Sequence, residues 1–269
     1  MHALKMNGTG NAFLLMDGRK GGIDISSDQI IRWAGIHNFD QILLLEPSDK
    51  ADARYRIWNR DGNEVSACGN GARCVGWYLT DQSGNETALL DTTYGLTQAH
   101  RIGDFRISVD LGPTRTDWRD IPLAREMETL ALEYSLTANG VKVSEPGAVS
   151  MGNPHIVFDV PDIGGVPVEA LGKLAENDPL FPEAANVGFM QILDRTHIRL
   201  RVWERGAGLT KACGTGAAAA IVAGNRKGLL ERRCHVAVDG GNLVIDWRDD
   251  NHVWIEGPVE LEGEVELDA

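Results

Sequence analysis

The stretch CGNGA at residues 68–72 returns as CGTGA at residues 213–217, and this repeat is the strongest pattern in the sequence. The two cysteines lie 145 residues apart (213 − 68), which is close to half of the 269-residue chain. Each copy follows a segment with strand character and opens a helical run of small residues. The repeat therefore predicts two halves of similar build, each with Cys-Gly-x-Gly-Ala at the start of a helix.

Short strands and few helices surround the repeat. Alternating apolar residues predict strands at 55–58, 106–111, 155–160 and 197–203. The sequence DGGN at 239–242 predicts a tight hairpin turn. Helical patterns cover about 70–81, 168–176 and 215–227, the last closed by Gly228. We assign the chain to the α+β class, as two pseudo-symmetric α/β domains with an active site in the cleft between them. The polar, turn-rich residues that follow Pro113 place the first domain at 1–115 and the second at 116–258.

The bulk composition excludes several classes of function. With 26 basic and 39 acidic residues, the net charge of −13 disfavours nucleic acids and anionic membranes as partners. No run reaches the roughly 18–20 apolar residues of a membrane span, and the N-terminus lacks the apolar core of a signal peptide. These features predict a soluble, cytoplasmic protein.

The cysteine and glycine patterns disfavour two other kinds of site. The four cysteines show no C-x2-C pair and no disulfide framework, so we expect no metal site. We also expect no dinucleotide cofactor, because no Gly-x-Gly-x-x-Gly lies in a βαβ frame. Cys74 and Cys234 fit ordinary packing roles for buried cysteines.

The two repeated cysteines suit proton transfer at one carbon atom. Unpaired N–H groups at a helix start favour the thiolate, which predicts a thiol pKa that falls toward neutrality. The same N–H groups can hold a carboxylate. One thiolate could remove the α-proton of an amino acid while the opposite thiol returns a proton to the other face. The pattern therefore indicates a cofactor-independent epimerase or racemase.

Further polar residues lie near the repeat. His155 begins an apolar strand, where a single histidine is often only a surface or capping group. Glu204 and Arg205 precede the second cysteine; such a pair is often a solvated strand end, but it could hold an ammonium and, in a dry site, a carboxylate. Turns supply further amides, such as Asn59 and Asn186, each of which alone would be an ordinary turn residue.

Taken together, these residues make the chain resemble the diaminopimelate epimerase family over nearly its whole length. The similarity is strongest from Asn59 to Cys74 and from Glu204 to Gly216. Shorter similar stretches are Lys5–Phe13, Gly152–His155 and Ala185–Val187.

The resemblance implies roles for individual residues. It assigns Cys68 and Cys213 as the two catalytic acid/bases, and His155 and Glu204 as catalytic groups that orient and hold the reacting amino group. It places the reacting α-carboxylate at the helix-start residues Gly69, Asn70, Gly214 and Thr215. It assigns the remaining substrate contacts, several of them at the distal amino-acid end, to Asn11, Gln41, Asn59, Asn153, Asn186 and Arg205.

The resemblance also implies the reaction and its setting. The family converts LL- to meso-diaminopimelate without pyridoxal phosphate, for lysine and cell-wall synthesis, usually as a homodimer. Its last strand, here 259–269, returns to the first domain. This sequence departs from the family at Asn7 and Ala12, where His and Asp are common, and in a shortened region from Trp33 to Gln41.

Two other functions fit part of the pattern. A proline or hydroxyproline racemase-like enzyme would share the fold and the two-thiol chemistry, but Arg205 and the extra amides favour a longer substrate with a second charged end. A non-catalytic amino-acid-binding or thiol-sensing protein is the other alternative. Redox motifs favour closely spaced cysteines, whereas Cys68 and Cys213 lie far apart in the sequence.

Overall fold

The computed structural model describes residues 1–65, 68–93 and 95–268. Ser66 and Ala67, which fall within the stretch of resemblance that ends at Cys74, lie outside the described residues, as does Ala269 at the end of the predicted returning strand. None of the helices in the described part of the chain combines the length and the apolarity needed to cross a membrane.

The chain divides into two compact units. The first unit comprises Met1–Asp110 with Glu256–Ala269, and the second is Leu111–Ile255. The chain therefore passes from one unit to the other within two strands. The predicted domain boundaries, after residues 115 and 258, stay predictions.

The first unit contains most of the early strands and two helices. Its elements are β1 (His2–Gly8), β2 (Asn11–Asp17), α1 (Ser27–Ile36), β3 (Gln41–Glu46), β4 (Ala53–Asn59), β5 (Glu64–Val65), α2 (Gly69–Ser83), β6 (Thr87–Thr92), β7 (Gly95–Gly103) and β8 (Arg106–Pro113), whose last residues belong to the second unit.

The second unit has a similar series of elements. They are β9 (Ser135–Ala138), β10 (Val141–Ser144), β11 (Gly147–Ser150), β12 (Pro154–Asp159), a 3-10 helix (Ile163–Gly165), α3 (Val168–Glu176), β13 (Asn186–Asp194), β14 (His197–Glu204), β15 (Gly208–Leu209), α4 (Gly214–Arg226), β16 (Arg233–Val238), β17 (Gly241–Trp247) and β18 (His252–Pro258). β18 leads back into the first unit, where β19 (Glu260–Glu266) pairs antiparallel with β1.

The strand pairing of the first unit repeats in the second with each strand number raised by ten. In the first unit β1–β2 is antiparallel, β2–β3 parallel, β3–β4 and β4–β5 antiparallel, and β4–β6 parallel. In the second, β11–β12 is antiparallel, β12–β13 parallel, β13–β14 and β14–β15 antiparallel, and β14–β16 parallel. The helices correspond in the same way, α1 to α3 and α2 to α4. The predicted α+β class with two halves of similar build is confirmed.

Helix α1 lies in a region for which the sequence analysis predicts no helix. It buries Ile30 and Trp33, whereas Ile31 and Ile36 are exposed, so its apolar residues do not all lie on the buried face. The local signal is a capping box, in which the Ser26 side chain accepts from the N–H of Gln29 and the Gln29 side chain accepts from the N–H of Ser26. The predicted helices at 70–81, 168–176 and 215–227 are confirmed as α2, α3 and α4.

Each unit has its own apolar core. In the first, α1 packs through Trp33 against Leu14, Ile42 and neighbouring side chains of β2 and β3. In the second, a larger cluster includes Phe158 and Phe189, whose rings stack at 5.7 Å between centroids. Trp58 of β4 belongs to the first core and Trp203 of β14 to the second, so each core packs against the residue before the last one of its strand.

Candidate active site

Both repeated cysteines are the N-cap residues of their helices. Cys68 precedes α2 and its Sγ accepts from the N–H of Gly71 at 3.4 Å. Cys213 precedes α4 and its Sγ accepts from the N–H of Gly216 at 3.3 Å. The two sulfur atoms therefore satisfy the same helix-start donor in the two units, the role that Ser, Thr, Asp or Asn more often takes.

The second glycine of each motif is required by close packing at the helix start. A Cβ on Gly71 would lie 2.9 Å from the Tyr55 hydroxyl oxygen, and one on Gly216 would lie 2.9 Å from Val202 Cγ2. The Cβ on Gly216 would also lie 3.2 Å from the Cys213 sulfur. Larger residues at these positions would push the first helical turn away from the strand behind it.

Four predicted binding residues of the first unit form two side-chain pairs. The Asn70 amide donates to Asn11 Oδ1, which joins the first turn of α2 to the start of β2. Gln41 Nε2 donates to Asn59 Oδ1 at 2.9 Å, and the same two residues are register partners in β3 and β4. Gln41 thus holds a defined place although the region before it is short.

Arg73 ties α2 to the turn between β1 and β2. The side chain is fully buried, and burial lowers the pKa of Arg73 to about 10. Its Nη2 donates to Thr9 Oγ1 at 2.7 Å. Since Asn70 holds Asn11 one turn earlier in the helix, α2 fixes both ends of this turn.

In the second unit a chain of polar contacts runs from the helix start to His155. The Cys213 sulfur lies 3.7 Å from Thr215 Oγ1, which accepts from Asn153 Nδ2 at 3.4 Å. Asn153 Oδ1 lies 3.0 Å from His155 Nε2. An amide oxygen only accepts, so His155 donates from Nε2. The structure therefore brings four predicted site residues, Asn153, His155, Cys213 and Thr215, into one network.

His155 is held in its neutral form. The ring is 1% exposed, and burial, together with the positive charge of Arg205, lowers the pKa of His155 to about 3. A neutral ring can orient a substrate amino group through a hydrogen bond, but it brings no positive charge to the site.

The low pKa of His155 predicts a specific loss of stability in acid. The unfolded chain takes up the proton near pH 6.5 and the folded chain only near pH 3, so stability falls as the pH drops from about 6.5 to about 3. Between pH 7 and pH 5 the free energy of unfolding of the wild type should fall by about 2 kcal/mol more than that of His155→Gln. Urea unfolding at both pH values measures this difference. His235→Gln, which replaces an exposed histidine of β16, is the control and should behave like the wild type; equal slopes for the wild type and His155→Gln would contradict the neutral ring.

Glu204 lies between a hydroxyl group and the second cysteine. Thr210 Oγ1 donates to Glu204 Oε1, and a further hydrogen bond joins the carboxylate to the Cys213 thiol. Burial raises the pKa of Glu204, while these two hydrogen bonds act in the opposite direction.

The pKa of Cys213 differs from the expectation of a value near neutrality. Burial and then the negative charge of Glu204 raise the pKa of Cys213 well above its usual range, although the Thr215 hydroxyl and the Gly216 N–H act in the opposite direction. Burial and the adjacent carboxylate thus outweigh the helix start. The direction of this shift favours the thiol form of Cys213.

The side chains of Asn186 and Arg205, both predicted to bind substrate, bind backbone groups of the protein. The Asn186 side chain is 4% exposed; its Nδ2 donates to Pro154 O at 2.9 Å and its Oδ1 accepts from the Arg205 N–H at 3.0 Å. Asn186 therefore supports the turn after β14. The Arg205 guanidinium is exposed and donates to Glu183 O at 2.8 Å, whereas a dry environment was expected.

The predicted site residues occupy corresponding positions in the two units. Gln41 and Asn186 each begin the third strand of the repeated pattern, and Asn59 and Glu204 each end the fourth. Gly69 with Asn70, and Gly214 with Thr215, are the first two residues of their helices. The assigned roles of these residues stay predictions. Within the described ranges no three His, Cys, Asp or Glu side chains cluster in a way that could hold a metal ion.

Sequence reasoning missed three residues that support the site. Tyr55 donates through its hydroxyl to Cys68 O at 3.1 Å, Thr210 donates to Glu204, and Glu176 contacts the turn after β14. Thr210 follows Glu204 by six residues, and Glu176 precedes it by 28, so no local pattern marks these contacts.

Comparison with known proteins agrees with this arrangement. The sequence model of the family described as diaminopimelate epimerase matches residues 3–116 and 147–262, one stretch in each half. A diaminopimelate epimerase of Phenylobacterium zucineum (strain HLK1) is 48% identical over 268 residues, which cover 98% of this chain and 96% of the relative. Another, of Acidiphilium cryptum (strain JF-5), is 46% identical over 269 residues, which cover 99% and 96%.

A solved structure shows the same fold at low sequence identity. The hydroxyproline epimerase of Agrobacterium vitis superimposes with a TM-score of 0.68 at 17% identity, over 98% of this chain and 90% of that one. This likeness concerns the fold, whereas the matched family model and the relatives concern the sequence over nearly its whole length. From these matches the chain belongs to the diaminopimelate epimerase family.

Proposed function

We propose that this protein is a diaminopimelate epimerase that interconverts LL- and meso-2,6-diaminopimelate with Cys68 and Cys213 as a thiolate/thiol pair. The observation that carries the proposal is the equal placement of the two cysteines, each at the N-cap of the second helix of a repeated unit. In the reaction, one sulfur takes the α-proton from one face of the carbon and the other sulfur supplies a proton to the opposite face.

The environment of Cys213 supports one starting arrangement of the proton. Burial and Glu204 favour the thiol form of Cys213, so in this proposal Cys213 starts as the proton donor and Cys68 as the base. Cys68 then removes the α-proton and Cys213 donates its own proton. After one turnover the charge lies on Cys213, and the pair returns to its starting state through the reverse reaction or by exchange with water.

The helix starts and the polar network supply the remaining contacts. The N–H groups at the start of α2 and α4 hold the reacting α-carboxylate and stabilise the charge that builds on it. Glu204 and His155 receive the reacting amino group, and Arg205 binds the distal carboxylate. Since the Arg205 guanidinium is exposed, it can turn toward a substrate without leaving a buried cation behind.

Several finer features belong to the same proposal. Every step uses a thiol, a thiolate, or a hydrogen-bond donor or acceptor of the chain, so we propose a reaction that needs no pyridoxal phosphate. The role in lysine and cell-wall biosynthesis, the cytoplasmic location and the homodimer are likewise proposed from family membership. Light scattering of the purified protein would report the assembly.

The direct test is to incubate the purified protein with LL-diaminopimelate and follow the meso form by chiral chromatography. Parallel reactions with L-proline and trans-4-hydroxy-L-proline separate the two epimerase alternatives. We expect conversion of diaminopimelate alone. Conversion of either proline at a similar rate would overturn the assignment, and no conversion of any substrate, with a reversible disulfide under oxidation, would favour a thiol sensor.

A further inference from the structure

The turn after β14, residues 204–208, is held by a carboxylate from a different element. Glu176 is the last residue of α3, and its Oε1 accepts from the Gly206 N–H at 2.6 Å. Its Oε2 accepts from the Trp203 indole N–H at 2.8 Å. One side chain therefore binds the strand end and the turn together, with both of its oxygen atoms engaged. Hydrogen bonds to a carboxylate group are in general stronger than those between neutral groups.

This turn carries the two charged residues to which the proposed function gives substrate contacts. Glu204 begins the turn and Arg205 follows it. The Arg205 N–H donates to Asn186 Oδ1 at 3.0 Å, and the next N–H along the chain donates to Glu176. Two consecutive backbone N–H groups are thus bound by side chains from other elements. The two acceptors therefore hold the backbone from which the Glu204 and Arg205 side chains extend.

The position of Glu176 in α3 has no local explanation. A carboxylate at the last residue of a helix faces the negative end of the helix dipole and is disfavoured there. The end of α3 contacts Trp203 of β14, and Lys173 Nζ lies 5.6 Å from the centre of the Trp203 ring. The contacts of Glu176 with β14 and its turn are therefore the interactions that account for a carboxylate at this position.

The corresponding turn of the first unit is tied to α1 without a carboxylate, although the Arg60 guanidinium of that turn donates to Ala34 O at 3.3 Å. There the Ser27 hydroxyl of α1 donates to Gly62 O at 2.8 Å, and the last residue of β4 is the neutral Asn59. The carboxylate contact thus accompanies the unit whose turn carries Glu204 and Arg205.

We propose that Glu176 is a positioning residue for the reaction, which holds the turn 204–208 so that Glu204 meets the reacting amino group and Arg205 meets the distal carboxylate. This inference rests on the proposed function. Glu176 itself touches no reacting atom; it acts through the Gly206 N–H and the Trp203 indole.

The test compares Glu176→Gln with Glu169→Gln. A glutamine oxygen can accept one of the two N–H groups, while its NH2 group faces the other donor, so one bond is lost. Glu169 lies in the same helix and pairs with Lys173 at 2.6 Å on the exposed side, which makes it a matched control. We expect kcat/KM for diaminopimelate to fall about tenfold in Glu176→Gln, through both a higher KM and a lower kcat, and to stay within twofold of wild type in Glu169→Gln.

A measurement without substrate shows whether the turn itself has moved. In 15N-labelled protein, Glu176→Gln should shift the Trp203 indole N–H resonance and speed hydrogen exchange at the Gly206 amide, while the protein stays folded. If the resonances shift but kcat and KM stay at their wild-type values, the positioning role is overturned. It is also overturned if activity is lost while the resonances do not shift. A wild type without epimerase activity would instead overturn the proposed function, because the two resonances report on the turn alone.

Discussion

Cys213→Ala is expected to lower epimerisation of diaminopimelate at least about a hundredfold in both directions, and Cys68→Ala should do the same. Each sulfur serves one face of the α-carbon, so neither can replace the other. The two rates are measured by chiral chromatography, starting once from the LL form and once from the meso form. Either variant retaining more than about a tenth of the wild-type rate would contradict the two-base mechanism.

A matched control separates this effect from the general cost of removing a thiol. Cys234 is also a buried free cysteine, in β16, where its sulfur contacts the backbone oxygens of Arg195 and Glu231. Cys234→Ala removes the same atoms from a packed site without touching the helix starts. Its activity should remain close to wild type even if its thermal midpoint falls.

Glu204→Gln is expected to lower kcat/KM by about ten- to a hundredfold, which corresponds to about 1.4–2.7 kcal/mol of lost transition-state stabilisation. The substitution keeps the shape of the side chain but removes the charge that would bind the substrate ammonium. Initial rates over a range of diaminopimelate concentrations give the two constants separately. A variant with wild-type kcat/KM would remove Glu204 from the proposed site.

The same substitution should move the pH profile in a defined direction. The negative charge of Glu204 raises the pKa of Cys213, because it disfavours the thiolate. Without that charge the pKa of Cys213 falls, and the loss of the thiol proton begins at lower pH. The alkaline limb of the rate profile should therefore shift to lower pH in Glu204→Gln. In Thr210→Val, which keeps the charge and removes the hydroxyl donor, the limb should move less; an unmoved limb in Glu204→Gln would contradict the coupling.

The sequence was sufficient for the parts of the site that are local. The Cys-Gly-x-Gly-Ala repeat predicted both helix starts, because an N-cap and its first turn depend on consecutive residues. It also predicted two halves of similar build, but it did not show which strands pair, since the two halves share little sequence outside the motif. The repeated pairing of β1–β6 and β11–β16 became visible only in the structure.

The remaining features depend on contacts between distant residues. A helix start alone predicts a lowered pKa for Cys213, but the burial of its sulfur and the approach of Glu204 reverse the direction. Asn186 was predicted as a substrate contact, yet both ends of its amide bind the backbone. Neither burial nor the direction of a side chain can be inferred from an isolated motif.

The return of the chain to its first strand has a consequence for folding during translation. β1 lies between β2 and β19, and His2 is the register partner of Glu266, so the first unit closes across 264 residues. The second unit is one continuous segment, Leu111–Ile255. On the ribosome that segment can fold before the first unit is complete, while β1 keeps an unpaired edge open to other chains until β19 emerges. Nascent chains stalled before residue 256 should therefore depend on chaperones more than full-length chains do.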